Sequence, residues 1–319
     1  MRAAVEAAYR SCREDDSGAL STVYPALADA DPTHFGVALA SVDGALVTTG
    51  EAATPFTIMS VAKPFVLALV CEAVGLDRVR DLVGVNATGL AFNSAYAVER
   101  SADGRTNPMV NAGAIATTSL TPGADLEHRW AWLHQGLSAF AGHSLAMDEA
   151  TLASARETNH RNRALANLLV SRDALAGDPL DAVDLYTRQS CLSVSASDLA
   201  VMGATLADGG TNPVTGERVV DPETAHATLA VMTIAGMYET SGDWLLDVGM
   251  PGKSGIGGGI VTVSPGKGAL GTFSPLLDPV GNSVRGSTVT RLLARSLGLD
   301  VLASDVVSPQ VSPKAHPPM

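Results

Sequence analysis

The chain reads as an α/β protein of the α+β kind: an antiparallel sheet flanked by helices, with an inserted all-helical lobe. Three observations lead there. Strand-like segments stand near both ends, FGVALASVDGALVTT at 35–49 and then IVTVS at 260–264 and ALGTFS at 269–274. The stretch between them, roughly 76–205, is helical by periodicity, with Gly and Asn breaks. Strands from the two ends can share one sheet if the helical stretch is set aside as a second lobe, and the crevice so formed favours a ligand site. The expected division is one catalytic domain over 1–303, with a sheet lobe of about 1–75 and 206–303 and a helical lobe of about 76–205. The tail 304–319 holds four prolines and few apolar residues and reads as disordered.

In chain order, residues 1–30 read as a helix followed by Pro25 and a short apolar piece. Asp43-Gly44 between two apolar runs is a hairpin signal. Thr57 to Gly75 reads as a buried helix, with Pro64 in its first turn, where a missing N–H costs little, and Gly75 as its stop. Residues 161–170 keep their apolar positions on one helical face, and 197–207 form a helix with Ser197 and Asp198 as expected caps and Gly209-Gly210 beyond it. A helix over 225–236 leads through Trp244-Leu245-Leu246 to a glycine-rich run at 252–259. Strand, Pro-Gly turn at 265–266, strand and a closing helix at 286–298 complete the chain.

With 319 residues, 46% apolar and 17% charged, the chain is long enough for a sizeable core and is neither disordered nor a coiled coil. A formal charge of -12, with only four lysines, is the opposite of what tracking nucleic-acid phosphates requires. No apolar run is long enough to span a membrane, and the first residues, broken by Glu6 and Arg10, do not read as a signal peptide. Cys12, Cys71 and Cys191 are isolated, which argues against a disulfide framework or a structural zinc site and for a reduced, cytoplasmic protein. The seven histidines show no metal-ligand spacing, and HExxH, GxSxG and a strand-linked GxGxxG are missing, so no cofactor is expected.

Two segments carry the chemistry. In Ser60-Val61-Ala62-Lys63 a serine and a lysine three apart share one helical face. If desolvation lowers the lysine pKa, the neutral amine can take the serine proton and activate a nucleophile. A helix cap with a surface lysine is the alternative, but FTIMSVAKPFVLALV is a poor setting for an exposed lysine. A second Ser-x-x-Lys, Ser264 to Lys267, contains Pro-Gly and reads as a turn. Lys253-Ser254-Gly255 on a strand is the distal box that accompanies Ser-x-x-Lys in serine acyl-transfer enzymes, and the glycines after it allow close approach. A P-loop reading fails because position 247 is Asp. The asparagines of NPMVNAGAI can place an amide in a cleft, or simply make a turn before a tightly packed helix. Tyr186 and Tyr238, in mostly apolar segments, are compatible with core tyrosines.

Taken together the segments resemble the serine-dependent glutaminases, on the β-lactamase/DD-peptidase-like fold. The matching text is FTIMSVAKPF, FNS at 92–94, NPMVNAGAI at 107–115, HRNRALANLL at 160–169, LYTRQ at 185–189, GATLADGGTNPVTGE at 203–217, GMYETSGDW at 236–244 and GMPGKSGIGGGI at 249–260. The resemblance implies hydrolysis of L-glutamine to L-glutamate and ammonia, with Ser60 as nucleophile, Lys63 as its base, and Tyr238 and Lys253 in the catalytic group. It puts Asn111, Asn162, Tyr186, Tyr238 and Ile256 around the substrate, the N–H groups of Ser60 and Ile256 forming the oxyanion hole. It implies a small-molecule amide as partner and a homodimer or homotetramer.

Three positions depart from the family's pattern. Ala155 stands where the family has the glutamate that receives the substrate's amino group, Val23 where it has a pocket tyrosine, and Met59 where it has glutamine. The acyl-transfer apparatus is complete while part of the amino-acid clamp is missing. That leaves two further expectations open: the same chemistry on an amide or γ-glutamyl compound without a free α-ammonium, or an amide-binding relative that does not hydrolyse. A penicillin-recognising enzyme shares the two boxes, but NPMVNAGAI speaks against it.

Overall fold

The architecture of the computed structural model, described over residues 1–304, follows from how small and large residues alternate on one sheet. Helix α1 (Arg2–Cys12) and a short 3-10 turn (Pro25–Asp29) precede the hairpin β1 (Gly36–Ser41) and β2 (Leu46–Gly50). After β3 (Phe56–Thr57) a buried helix, α2 (Ala62–Val74), leads into the helical lobe. The lobe continues with α3 (Leu76–Val83), α4 (Ala95–Arg100), α5 (Asn111–Ser119), α6 (Leu126–Ala141), β4 (Ala146–Met147), α7 (Glu149–Thr158), α8 (His160–Val170), α9 (Pro179–Ser190) and β5 (Leu192–Val194). Then come α10 (Ala196–Ala207), α11 (Pro222–Ala235), α12 (Ser241–Val248), β6 (Gly252–Ser254), β7 (Gly259–Ser264), β8 (Gly268–Phe273) and α13 (Val284–Ser296).

The main sheet has the order β2-β1-β8-β7-β6 and is antiparallel throughout, so the two ends of the chain do share one sheet. Strand β1 shows why it takes helices on both faces. Val37 and Leu39 point into a cluster with Val5 of α1 and Val289 and Leu293 of α13. Ala38 and Ala40, one residue out of phase, point into the large cluster that holds α10 and α2. Small residues on that second face let α10 lie very close: a Cβ on Gly271 of β8 would stand 2.1 Å from the carbonyl oxygen of Ala196.

Four expectations shift in detail. The helix expected from Thr57 begins only at Ala62, because Thr57 belongs to β3 and the Ile58 amide donates to the Leu192 carbonyl. The helix expected over 197–207 starts at Ala196; its cap is Ser195, whose hydroxyl accepts from the Asp198 amide while the Asp198 carboxylate accepts from the Ser195 amide. That helix, assigned from its sequence position to the end of the helical lobe, packs on β8, β1 and β7 and so belongs to the sheet. The closing helix begins at Val284, capped by the Ser283 hydroxyl. Pro64 falls in the first turn of α2 and Gly75 ends it. The Ser264 to Lys267 segment is a turn, with the Lys267 amine donating to the Gly298 carbonyl. The tail expected to be disordered lies, from residue 305 on, outside the described residues.

Replacing Gly271 by Val forces α10 off the sheet. We expect a loss of about 3 kcal/mol of unfolding free energy, read as a lower denaturation midpoint in urea with an unchanged slope.

Candidate active site

The sequence around Ser60 makes a sharp corner. A small three-stranded sheet, ordered β3-β5-β4, anchors the chain up to Ile58. Met59 then takes a left-handed backbone conformation, φ 49°, and Ser60 sits in the 3-10 turn Met59–Val61 that leads into α2. The turn between β6 and β7 lies against this corner. A Cβ on Gly257 would stand 2.4 Å from the Thr57 carbonyl oxygen, so that position needs glycine. A Cβ on Gly255 would stand 3.0 Å from the Ile58 carbonyl oxygen and 3.2 Å from the Ser60 amide nitrogen, a tight but less severe approach. Among the described residues, neither the Ser60 nor the Ile256 amide donates to a backbone carbonyl.

Lys63 is 2% exposed, on a helix buried from Ala62 to Cys71. Burial pulls its pKa from 10.5 down to about 7. Its amine donates to the Asn111 side-chain oxygen at 2.7 Å and to the Met109 carbonyl at 3.3 Å. An ammonium has three N–H groups and a neutral amine two, so these two acceptors match the neutral form and leave its lone pair free. Asn111, at the start of α5, is itself held on both sides of its amide. Its oxygen also accepts from the Tyr186 hydroxyl of α9 at 3.2 Å, and its NH2 donates to the Asn162 side-chain oxygen of α8 at 3.1 Å. Asn107 plays a different part: its side chain accepts from the Met109 amide and donates to the Asn86 carbonyl, shaping the turn that delivers α5.

Tyr238 and Lys253 form the facing wall. Tyr238 has a left-handed backbone, φ 57°, and its hydroxyl donates to the Ser254 carbonyl at 3.1 Å. The Lys253 amine donates to the same carbonyl at 2.6 Å and lies 4.2 Å from the centre of the Tyr238 ring. Burial, and next the nearby charge of Lys63, hold Lys253 well below its ordinary pKa. Burial pushes both Tyr186 and Tyr238 upward, opposed in each case by hydrogen bonding toward the Ser60 hydroxyl. Both phenols therefore stay protonated at neutral pH.

A cleft opens beside Ser60, and Asn111, Asn162, Tyr186 and Ile256 line it together with Ala155 and Val23. The structure thus brings every site residue expected from the sequence to one place, Lys253 from behind Tyr238. Tyr24, Asn159 and Arg161 also line the cleft and were not expected there. Val23, in the position of the family's tyrosine, is 57% exposed, whereas the neighbouring Tyr24 enters the cleft, where burial pushes its phenol up to about 12. An aromatic hydroxyl is therefore present one position along. The signal available was Tyr24 itself, an aromatic directly before Pro25.

An antiparallel sheet backed by helices, a helical lobe, and a Ser-x-x-Lys helix meeting a Lys-Ser-Gly strand at their junction define the β-lactamase-like fold. Within it the chain belongs to the glutaminase family, which it matches over residues 18–302. It is 57% identical over 301 residues to glutaminase 2 of Yersinia pestis, covering 94% of this chain and 88% of that one. It is 45% identical over 298 residues to the glutaminase of Brucella canis, covering 93% and 94%. The solved structure of the probable glutaminase ybaS superposes with a TM-score of 0.93 at 40% identity, covering 95% of this chain and 98% of that one. A probable glutaminase from Bacillus subtilis complexed with 6-diazo-5-oxo-L-norleucine superposes with a TM-score of 0.82 at 27% identity, covering 94% of each chain.

An Asn111→Asp substitution puts a carboxylate where the Lys63 amine now meets a neutral amide. We expect the Lys63 pKa to rise by about 1–3 pH units, followed by NMR titration of labelled lysine side chains, a spectrum kept simple by the four lysines in the chain.

Proposed function

We propose that this glutaminase hydrolyses the side-chain amide of L-glutamine to L-glutamate and ammonia through an acyl-enzyme on Ser60. The observation that carries the reading is the buried Lys63 amine, with a pKa near 7 and two acceptors for its two N–H groups, one helical turn from the serine. No Ser60–Lys63 hydrogen bond is formed among the described residues, so the lone pair is available when substrate enters. Lys63 takes the Ser60 proton as the oxygen attacks the amide carbon. The developing oxyanion is received by the Ser60 and Ile256 amides, both without a backbone acceptor among the described residues. Tyr238, kept protonated by burial, gives its proton to the departing nitrogen and recovers one from the attacking water in the second half-reaction, while Lys63 returns its proton to the Ser60 oxygen as the acyl bond breaks. Lys253 steadies Tyr238 through the shared Ser254 carbonyl. Asn111, Asn162 and Tyr186 hold the substrate end of the cleft.

Three free, buried cysteines support a reduced, cytoplasmic setting. No single helix among the described residues is long and apolar enough to cross a membrane. The family resemblance supports a homodimer or homotetramer, which sedimentation would read directly.

Ammonia release from L-glutamine tests the mechanism. Ser60→Ala is expected to lower kcat by about 10⁴-fold or more in a protein whose circular dichroism is unchanged; a variant that kept most of its activity would exclude Ser60 as nucleophile. For the base, the sign follows from Lys63: below its pKa it is protonated and cannot accept the Ser60 proton. The pH profile of kcat/KM is therefore expected to rise along a one-proton limb centred near pH 7, and a profile flat from pH 6 to 9 would remove Lys63 from that role.

A further inference from the structure

The far part of the cleft carries a charge pattern that the reaction does not explain. Its walls hold one cationic side chain, Arg161, and no carboxylate among the described residues. The Arg161 guanidinium is fixed by two hydrogen bonds to the Asn93 carbonyl, at 3.0 and 2.8 Å. Ala155 on α7 is 1% exposed and adds only a methyl group to the wall. The acids at the two ends of that helix do not make up for it. Glu157 is exposed and not part of the cleft, and Asp148 caps α7 while accepting from the Thr57 and Thr151 hydroxyls. An ammonium group brought into this space loses water, meets a like charge and gains no counter-charge. A carboxylate, in contrast, meets a planar guanidinium suited to hold it and the amides of Asn111 and Asn162.

We infer that the pocket selects ω-monoamides of dicarboxylic acids whose α carbon bears no ammonium group, being unsubstituted or carrying hydroxyl or oxo, over the α-amino acid amide. The inference rests on the deamidation chemistry proposed for Ser60 and names the substrate class of that site. The free carboxylate goes to Arg161, the neutral α carbon lies by Ala155 and the Tyr24 phenol, and the amide reaches Ser60. The amide C–N bond breaks, ammonia leaves with the proton relayed to it, and water supplies the new hydroxyl, giving the dicarboxylate.

The test compares glutaramate (5-amino-5-oxopentanoate) with L-glutamine as substrates of the full chain, by ammonia release, with Ser60→Ala as the blank. We expect kcat/KM to be about tenfold higher for glutaramate, the difference lying in KM. Ala155→Glu restores a carboxylate and is expected to move that ratio at least tenfold toward L-glutamine. Because a buried glutamate can unfold the chain, Arg161→Gln at the exposed rim gives an independent readout: KM for glutaramate up about tenfold with kcat little changed. Ser60-dependent turnover with kcat/KM for L-glutamine equal to or above that for glutaramate overturns the inference and leaves the deamidation chemistry intact. A folded wild type that releases ammonia from neither compound removes both.

Discussion

The burial of Lys63 is the constraint around which the candidate site is arranged. Lowering its pKa from 10.5 to about 7 corresponds to a penalty on the charged form of about 5 kcal/mol. Domains as a rule are stable by about 5–15 kcal/mol in total, so a charged amine here would use up much of that margin. The helix is otherwise apolar through this stretch, and the amine therefore needs its acceptors from elsewhere. They come from Asn111 and Met109 at the start of α5, and Asn111 is oriented by Tyr186 of α9 and Asn162 of α8. Side chains of three helices of the lobe are thus linked to one nitrogen through Asn111, and Asn111, Asn162 and Tyr186 also line the cleft.

The sheet lobe contributes backbone geometry. Met59 and Tyr238, the two left-handed residues at the site, each carry conformational strain of about 1–3 kcal/mol. One turns the chain so that Ser60 opens a helix; the other swings a phenol over Lys253. Strain of this kind persists where neighbours over-determine it, and here the neighbours are the glycine turn after β6 and the small sheet that anchors Ile58. Stability is spent at the site and recovered from the apolar packing on both faces of the main sheet.

Much of this was legible in the residues. A lysine inside FTIMSVAKPFVLALV reports a buried amine, since apolar flanks leave it no path to water, and the hairpin at Asp43-Gly44 reports its strands through alternation and turn chemistry. Helix starts were less legible. Ser195 lies outside the apolar run that marks α10, and only the reciprocal bonding with Asp198 distinguishes it from Ser197. The lobe boundary was hidden for a related reason: an alanine-rich helix reads the same whether it packs on helices or on a sheet of small residues. Tyr24 was masked by Val23, because a shift of one residue in a loop leaves no periodic trace. Arg161 was masked by its own exposure, as an arginine beside a buried asparagine reads as solvated until its Asn93 partner is seen.

The strand order β2-β1-β8-β7-β6 has a consequence for biosynthesis. The helical lobe is contiguous in the chain and emerges from the ribosome complete, whereas β1 must wait for β8 to cover one of its edges. The Ser60 segment is made early and the strand that faces it late. A nascent chain therefore carries Ser60 and Lys63 before Tyr238, Lys253 and Ile256, which face them, and the cleft is assembled only with the last strands of the sheet. Topology alone thus delays completion of the candidate site until synthesis of the domain is nearly finished.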